Sequence, residues 1–166
     1  MTERHPNGGI SPHDRESLAS AEPQPQGADS TMSPQRRALV LLVEDDEDTR
    51  EVLRLILETE GIEVAVARDG LDALVRIDQL RRDDPMAPTA IVLDYMMPRC
   101  SGPQFRQKQL ANPQIAGVPV ILVSAVSDLA SRAALLDPFA ILQKPIDADE
   151  FTAVVREACN ASLNRP

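Results

Sequence analysis

The chain has 166 residues, 26 acidic against 17 basic side chains, a formal net charge of −9, one tyrosine, three phenylalanines and no tryptophan. This length suits one domain, or one domain and a tail. The acidic balance and the few aromatics argue against direct nucleic-acid binding, which draws on basic patches and stacking platforms.

Residues 1–37 have only Ile10 and Leu18 among Val, Ile, Leu and Phe, and are rich in Pro, Gln, Ser and Gly. A segment of this kind buries too little apolar surface to offset the entropy of ordering, so a disordered N-terminal tail is expected there. It contains His5 and His13, neither in a helical pattern. It has no apolar core of a signal peptide, and no later run is long enough to span a bilayer, so membrane insertion is not expected. Cys100 and Cys159 are too few and too separated for a disulfide scaffold or zinc site. A cytoplasmic location follows as the expectation, with Cys100 an exposed loop thiol without a chemical role.

The expected domain covers 38–166. ALVLLV, 38–43, reads as a buried strand, and the helix after it carries Val52, Leu53, Ile56 and Leu57 at helical spacing before Gly61 stops it. IEVAVA is a second strand. Asp69 then caps a helix with Leu71, Leu74 and Val75 on one face. RRDDPMAPT reads as a loop, TAIVLD as the third strand, and Pro103 stands in the first turn of a helix running to about Leu110. VPVILVS is the fourth strand, with a helix opened by Ser127 or Asp128, and FAILQ the fifth. Asp147 and Glu150 give a capping-box-like start to a last helix using Phe151, Val154, Val155 and Ala158. Five strand–helix repeats predict an α/β fold: a five-stranded parallel sheet with helices on both faces, joined by right-handed crossovers.

In such a sheet ligands bind beyond the carboxyl ends of the strands. Strand one ends in Glu44-Asp45-Asp46, strand three in Asp94, strand four in Ser124 and strand five in Gln143-Lys144-Pro145. Acids at a helix start suit the macrodipole, which accounts for Glu47 and Asp48 but not for acids that begin on the strand. Several carboxylates at one edge repel one another unless a cation joins them, and Mg²⁺ suits an all-oxygen set. Lys144 can pair with a phosphoryl group as a point charge, Ser124 can donate to a phosphoryl oxygen, and Asp94 is the candidate nucleophile.

Taken in this order, LLVEDDEDTR, IVLDYMMPRCSG, Ser124-Ala125 and Lys144-Pro145 resemble the receiver domain of two-component response regulators, over about Ala38 to Leu163. The resemblance implies the (βα)5 flavodoxin-like fold, with Asp94 as phosphoacceptor. Glu44 and Asp45 match the acidic pair, Asp45 being the direct Mg²⁺ ligand, and Asp46 is a further acid that some members share. The Met96 backbone carbonyl becomes a metal ligand, Ser124 the switch hydroxyl, and Lys144-Pro145 a cis pair. It further implies phosphoryl transfer from a histidine kinase or histidine phosphotransfer protein, with no enzymatic activity beyond the domain's own phosphorylation and dephosphorylation. One position departs: Ile141 stands where the family usually has a switch aromatic, and Phe139 is two residues earlier.

No output module is recognisable after the last helix, so the expectation is a stand-alone receiver that signals through an output protein. Two other classes differ in testable ways. A haloacid-dehalogenase-like phosphohydrolase needs a second Asp where Met96 stands. A phosphorylation-independent interaction module would not bind beryllofluoride in an Mg²⁺-dependent way.

Overall fold

The structure is a computed structural model and describes residues 37–125 and 133–164. The expected tail, apart from Arg37, and the expected helix start at Ser127 or Asp128 lie outside these residues.

Five strands and four helices alternate along the described chain. They are β1 (Leu39–Val43), α1 (Glu47–Thr59), β2 (Glu63–Ala67), α2 (Gly70–Asp83), β3 (Ala90–Asp94), α3 (Gly102–Leu110), β4 (Val120–Ser124), β5 (Ala140–Gln143) and α4 (Ala148–Leu163), with a short 3-10 turn at Ala134–Leu136. All strand pairs are parallel and the sheet order is β2-β1-β3-β4-β5. The chain therefore leaves β1 for β2 on one side, then crosses to β3 on the other. This makes the β1/β3 boundary the switch point where a parallel sheet opens a crevice.

Side chains alternate across a strand, so each strand feeds both faces. Leu41, Val43, Ile91, Leu93 and Leu122 point to one apolar layer with Ala73 and Ile77 of α2 and Phe105 of α3. Val40, Leu42, Val92, Ile121 and Val123 form the other with Leu53 and Leu57 of α1 and Phe151, Val155 and Ala158 of α4. The central strands β3 and β4 are buried throughout, which is why they read as unbroken apolar runs.

The helix ends at Gly61, Asp69, Pro103 and Asp147 follow the expected signals, while Asp46, expected among the metal-site acids, serves as a cap. Asp46, Asp69 and Asp147 cap α1, α2 and α4 by accepting from backbone N–H groups. Gly61, at φ +75, takes the left-handed conformation just beyond α1. In α3 the capping box pairs Ser101 with Gln104, and Pro103 lies in the first turn.

Three details differ from expectation. The buried α2 residues are Gly70, Ala73 and Ile77; of the expected face only Leu74 packs against the core, while Leu71 and Val75 are half-exposed. The small residues win because a Cβ on Gly70 would fall 2.5 Å from Cys100 Sγ and 2.9 Å from Phe105 Cβ, leaving no room for a larger side chain in that contact. Second, α2 runs on through Arg81 and Arg82 to Asp83, two bases in its last turn complementing the helix dipole. Third, Cys100 is buried rather than exposed, because the loop that carries it packs its thiol against the start of α2.

Candidate functional site

At the switch point the hydrogen-bond ladder continues past the ends of the strands. Glu44 N–H donates to the Ala67 carbonyl at 3.1 Å, Tyr95 N–H to Val123 at 2.9 Å and Lys144 N–H to Ser124 at 2.9 Å. Because Val43 lies opposite Leu93 in the β1/β3 register, the next residues, Glu44 and Asp94, emerge side by side. Glycine at 102 allows close approach behind them: a Cβ there would fall 2.5 Å from the Asp94 carbonyl oxygen.

Glu44, Asp45 and Asp94 each offer a carboxylate oxygen within 4.8 Å of the other two. Glu44 and Asp94 are buried and Asp45 is exposed, so the group opens to solvent on one side. Lys144 bridges the two buried acids, its Nζ 2.8 Å from Glu44 Oε2 and 3.3 Å from Asp94 Oδ1. Burial pulls the ammonium toward neutrality, but its bond to Glu44 and the charge of Asp94 outweigh that and hold it above the usual lysine value. Burial, then the charge of Glu44, lifts the Asp94 carboxyl to about 6 despite the opposing pull of Lys144. Three carboxylates against one ammonium leave the cluster net negative. At these separations each carboxylate pair repels by a few kcal/mol, about 4 at an effective dielectric of 20. The donors are all oxygens, which fits a hard divalent cation.

Among the other expected site residues, Ser124 is buried at the end of β4, beside β5 in register with Gln143. Met96 stands two residues after Asp94 with its side chain exposed. Asp46 is not part of the three-carboxylate group. Its carboxylate caps α1, accepting from Thr49 N–H at 2.8 Å, and the Thr49 side chain first, then that backbone bond, hold it below the usual carboxylate value. The Lys144–Pro145 peptide is cis.

Sequence reading missed one neighbouring feature. Arg99, in the β3–α3 loop, pairs with the buried carboxylate of Asp69 at the start of α2. Asp69 was legible as a cap, but nothing in the sequence tied it to a residue 30 positions away.

An apolar groove of about 370 Å³ adjoins the cluster, lined by Thr49, Val52 and Ile56 of α1 and by Lys144, Pro145 and Ile146. Among the described residues no helix is long and apolar enough to cross a membrane.

Residues 40–156 match the response regulator receiver domain. The chain is 34% identical over 135 residues to the alkaline phosphatase synthesis transcriptional regulatory protein SphR of Synechococcus elongatus, covering 76% of this chain and 51% of that protein. It is 36% identical over 120 residues to the response regulator MprA of Mycobacterium leprae, covering 70% of this chain and 49% of that protein. The chain thus spans about half the length of these curated relatives. Among solved structures it resembles the signal receiver domain of a histidine kinase from Syntrophus aciditrophicus, with TM-score 0.68 and 26% identity over 78% of this chain and 95% of that one. The receiver domain of the Francisella response regulator 1452 gives TM-score 0.66 and 26% identity over 76% and 99%. A match over most of the described residues, on a sheet of the same build, means that this chain belongs to the receiver domains of two-component response regulators.

Proposed function

We propose that the domain accepts a phosphoryl group on Asp94 from a phosphohistidine of a histidine kinase or histidine phosphotransfer protein, in an Mg²⁺-dependent reaction. The observation that carries this is the Lys144 bridge between Asp94 and Glu44 inside a three-carboxylate cluster at the sheet's switch point. Glu44, Asp45 and Asp94, with the Met96 carbonyl, would hold the metal, and Asp46 keeps its cap. When bound, the ion supplies positive charge against the incoming phosphoryl oxygens.

The chain's own residues supply the rest. An Asp94 carboxylate oxygen attacks phosphorus, the bond to the donor's imidazole nitrogen breaks, and the imidazole leaves with the electron pair. Ionised Asp94 is the attacking form, and at pH 7 a carboxyl near 6 is mostly ionised. Lys144, placed between two acids, is free to shift its ammonium onto a new phosphoryl oxygen as charge builds there. Ser124 donates its hydroxyl to another. The apolar groove beside Lys144 supports docking of a donor protein, whose histidine then meets Asp94 at the open side of the cluster. Output passes by protein contact; the acidic composition supports a protein partner rather than direct nucleic-acid binding.

Labelling with acetyl phosphate tests the reading. Asp94→Asn is expected to abolish Mg²⁺-dependent labelling, and undiminished labelling would overturn the assignment. A second reading, a receiver fold used as a fixed interaction module, is favoured only by Ile141, which lies partly exposed on β5 where an aromatic switch is usual. Mg²⁺-dependent beryllofluoride binding separates the two.

A further inference from the structure

Asp69 is a costly choice for its place. Its side chain is 1% exposed, and one oxygen, Oδ1, already caps α2 by accepting from Leu71 and Asp72 N–H at 2.8 and 3.0 Å. An Asn would cap as well without the charge. A buried carboxylate costs several kcal/mol unless it is paired. Its second oxygen is paired, with the Arg99 guanidinium.

Arg99 is costly in a different way. It stands at φ +62, one of two non-glycine residues with positive φ among those described. That conformation costs a residue bearing a Cβ about 1–2 kcal/mol, where glycine would be unstrained. Its side chain is 58% exposed, so packing does not explain it. Both costs have one explanation if the pair is there to fasten the loop.

The fastened loop leads out of the candidate site. Arg99 is five residues after Asp94 and three after Met96. Three backbone bonds tie the rest of the loop: Cys100 N–H to the Pro98 carbonyl at 2.7 Å closes the turn around Arg99, Gly102 N–H to the Tyr95 carbonyl at 3.2 Å closes its mouth, and Gly70 N–H to the Cys100 carbonyl at 3.1 Å joins it to α2. The Arg99–Asp69 pair is the side-chain tie at its far turn. With it, α2 becomes a rigid support for the segment that carries Asp94 and Met96.

We propose that Arg99 is a positioning residue: paired with Asp69, it holds the β3–α3 loop in the form that binds metal at Asp94 and Met96. This rests on the phosphoacceptor reading of Asp94. Partners that orient metal ligands from outside the first layer are worth about 10- to 100-fold in metal affinity. The pair acts on the metal-competent shape of the loop, so excess Mg²⁺ should overcome its loss.

The test uses the full chain and four variants: Asp69→Asn, Arg99→Gly, the double variant and Arg99→Lys. Arg156→Gln is the control, because it removes a different ion pair, an exposed one with Glu60, away from the site. Tyr95 is the sole tyrosine and there is no tryptophan, so intrinsic fluorescence during Mg²⁺ titration reports the residue beside Asp94. Amide hydrogen exchange over residues 95–101 is followed without metal.

Asp69→Asn and Arg99→Gly are each expected to weaken Mg²⁺ binding about 10-fold and speed loop exchange. The double variant should lose no more than either single change, since the two residues act as one tie. Arg99→Lys should recover part of the affinity, Arg156→Gln should match the parent, and acetyl phosphate labelling at saturating Mg²⁺ should approach the parent rate in every variant. Unchanged Mg²⁺ affinity and loop exchange in both single variants, even with a lower melting temperature, would overturn the proposal. Failure of the parent itself to be labelled would instead overturn the phosphoacceptor reading, and loop exchange would still decide the role of the tie.

Discussion

Asp94 sets the behaviour of the molecule with pH. Its carboxyl rises from an ordinary 3.8 to about 6, through burial first and Glu44 second. The folded state therefore holds this proton more tightly than the unfolded chain does. Its contribution to stability is present at low pH and is lost as pH climbs from about 4 through 6. Without metal, Asp94→Asn should raise the unfolding free energy at pH 7.5 by about 1–3 kcal/mol and by much less at pH 4, as read from urea denaturation at both values. Protons also compete for the cluster, so Mg²⁺ affinity should fall as pH drops below about 6, measured by titration at fixed ionic strength. On the phosphoacceptor reading of Asp94, Met96 bears on a later step. Hydrolysis of an aspartyl phosphate needs an oriented water, and the exposed thioether of Met96 is a poor partner for one. The expectation is slow loss of the phosphoryl group, shortened by Met96→Asn; decay of the parent within seconds, or slower decay in the variant, would contradict it. In receivers the residue two positions after the switch hydroxyl often helps orient that water; here it is Val126, which lies outside the described residues.

Elements differ in how openly the sequence announces them. The strands were legible because β3 and β4 are buried on both faces, so their AIVL and VILV runs had no other home in a chain of this size. Strand-end chemistry was legible for the same reason: a charge that closes such a run, as Asp94 does, must sit at the rim of the sheet. Helix faces were harder. Counting large apolar residues pointed to Leu71 and Val75 in α2, whereas Leu74 and Ile77 pack inward beside Gly70 and Ala73, whose value is closeness rather than size. The Asp69–Arg99 tie was invisible because it joins separate elements, and only the fold brings those together. Gly70 offers a direct check. Gly70→Ala should destabilise the domain by about 1–3 kcal/mol despite alanine's better helix propensity, because the new methyl meets Cys100 and Phe105. A stability equal to the parent in chemical denaturation would show that the loop yields.

For the molecule as a whole, metal binding at the acidic cluster, as proposed, should make stability a function of its ionic surroundings. A ligand that binds only the folded state at 100 times its dissociation constant adds about 2.7 kcal/mol. Mg²⁺ at that level should raise the melting temperature, EDTA should reverse the gain, and Asp45→Ala should remove most of it; an Mg²⁺ response that survives in Asp45→Ala would place the ion elsewhere. The sheet has another consequence, for descent rather than chemistry. Its two apolar layers share backbone but no side chain: the layer against α2 and α3 and the layer against α1 and α4 are built from alternate residues of the same strands. Mutations in one layer need few compensating changes in the other, so the two sides can drift at separate paces. A lineage could remodel the α1 groove for a new partner while the opposite side goes on holding the β3–α3 loop, and duplicated genes could part company in whom they answer to without losing what they answer with.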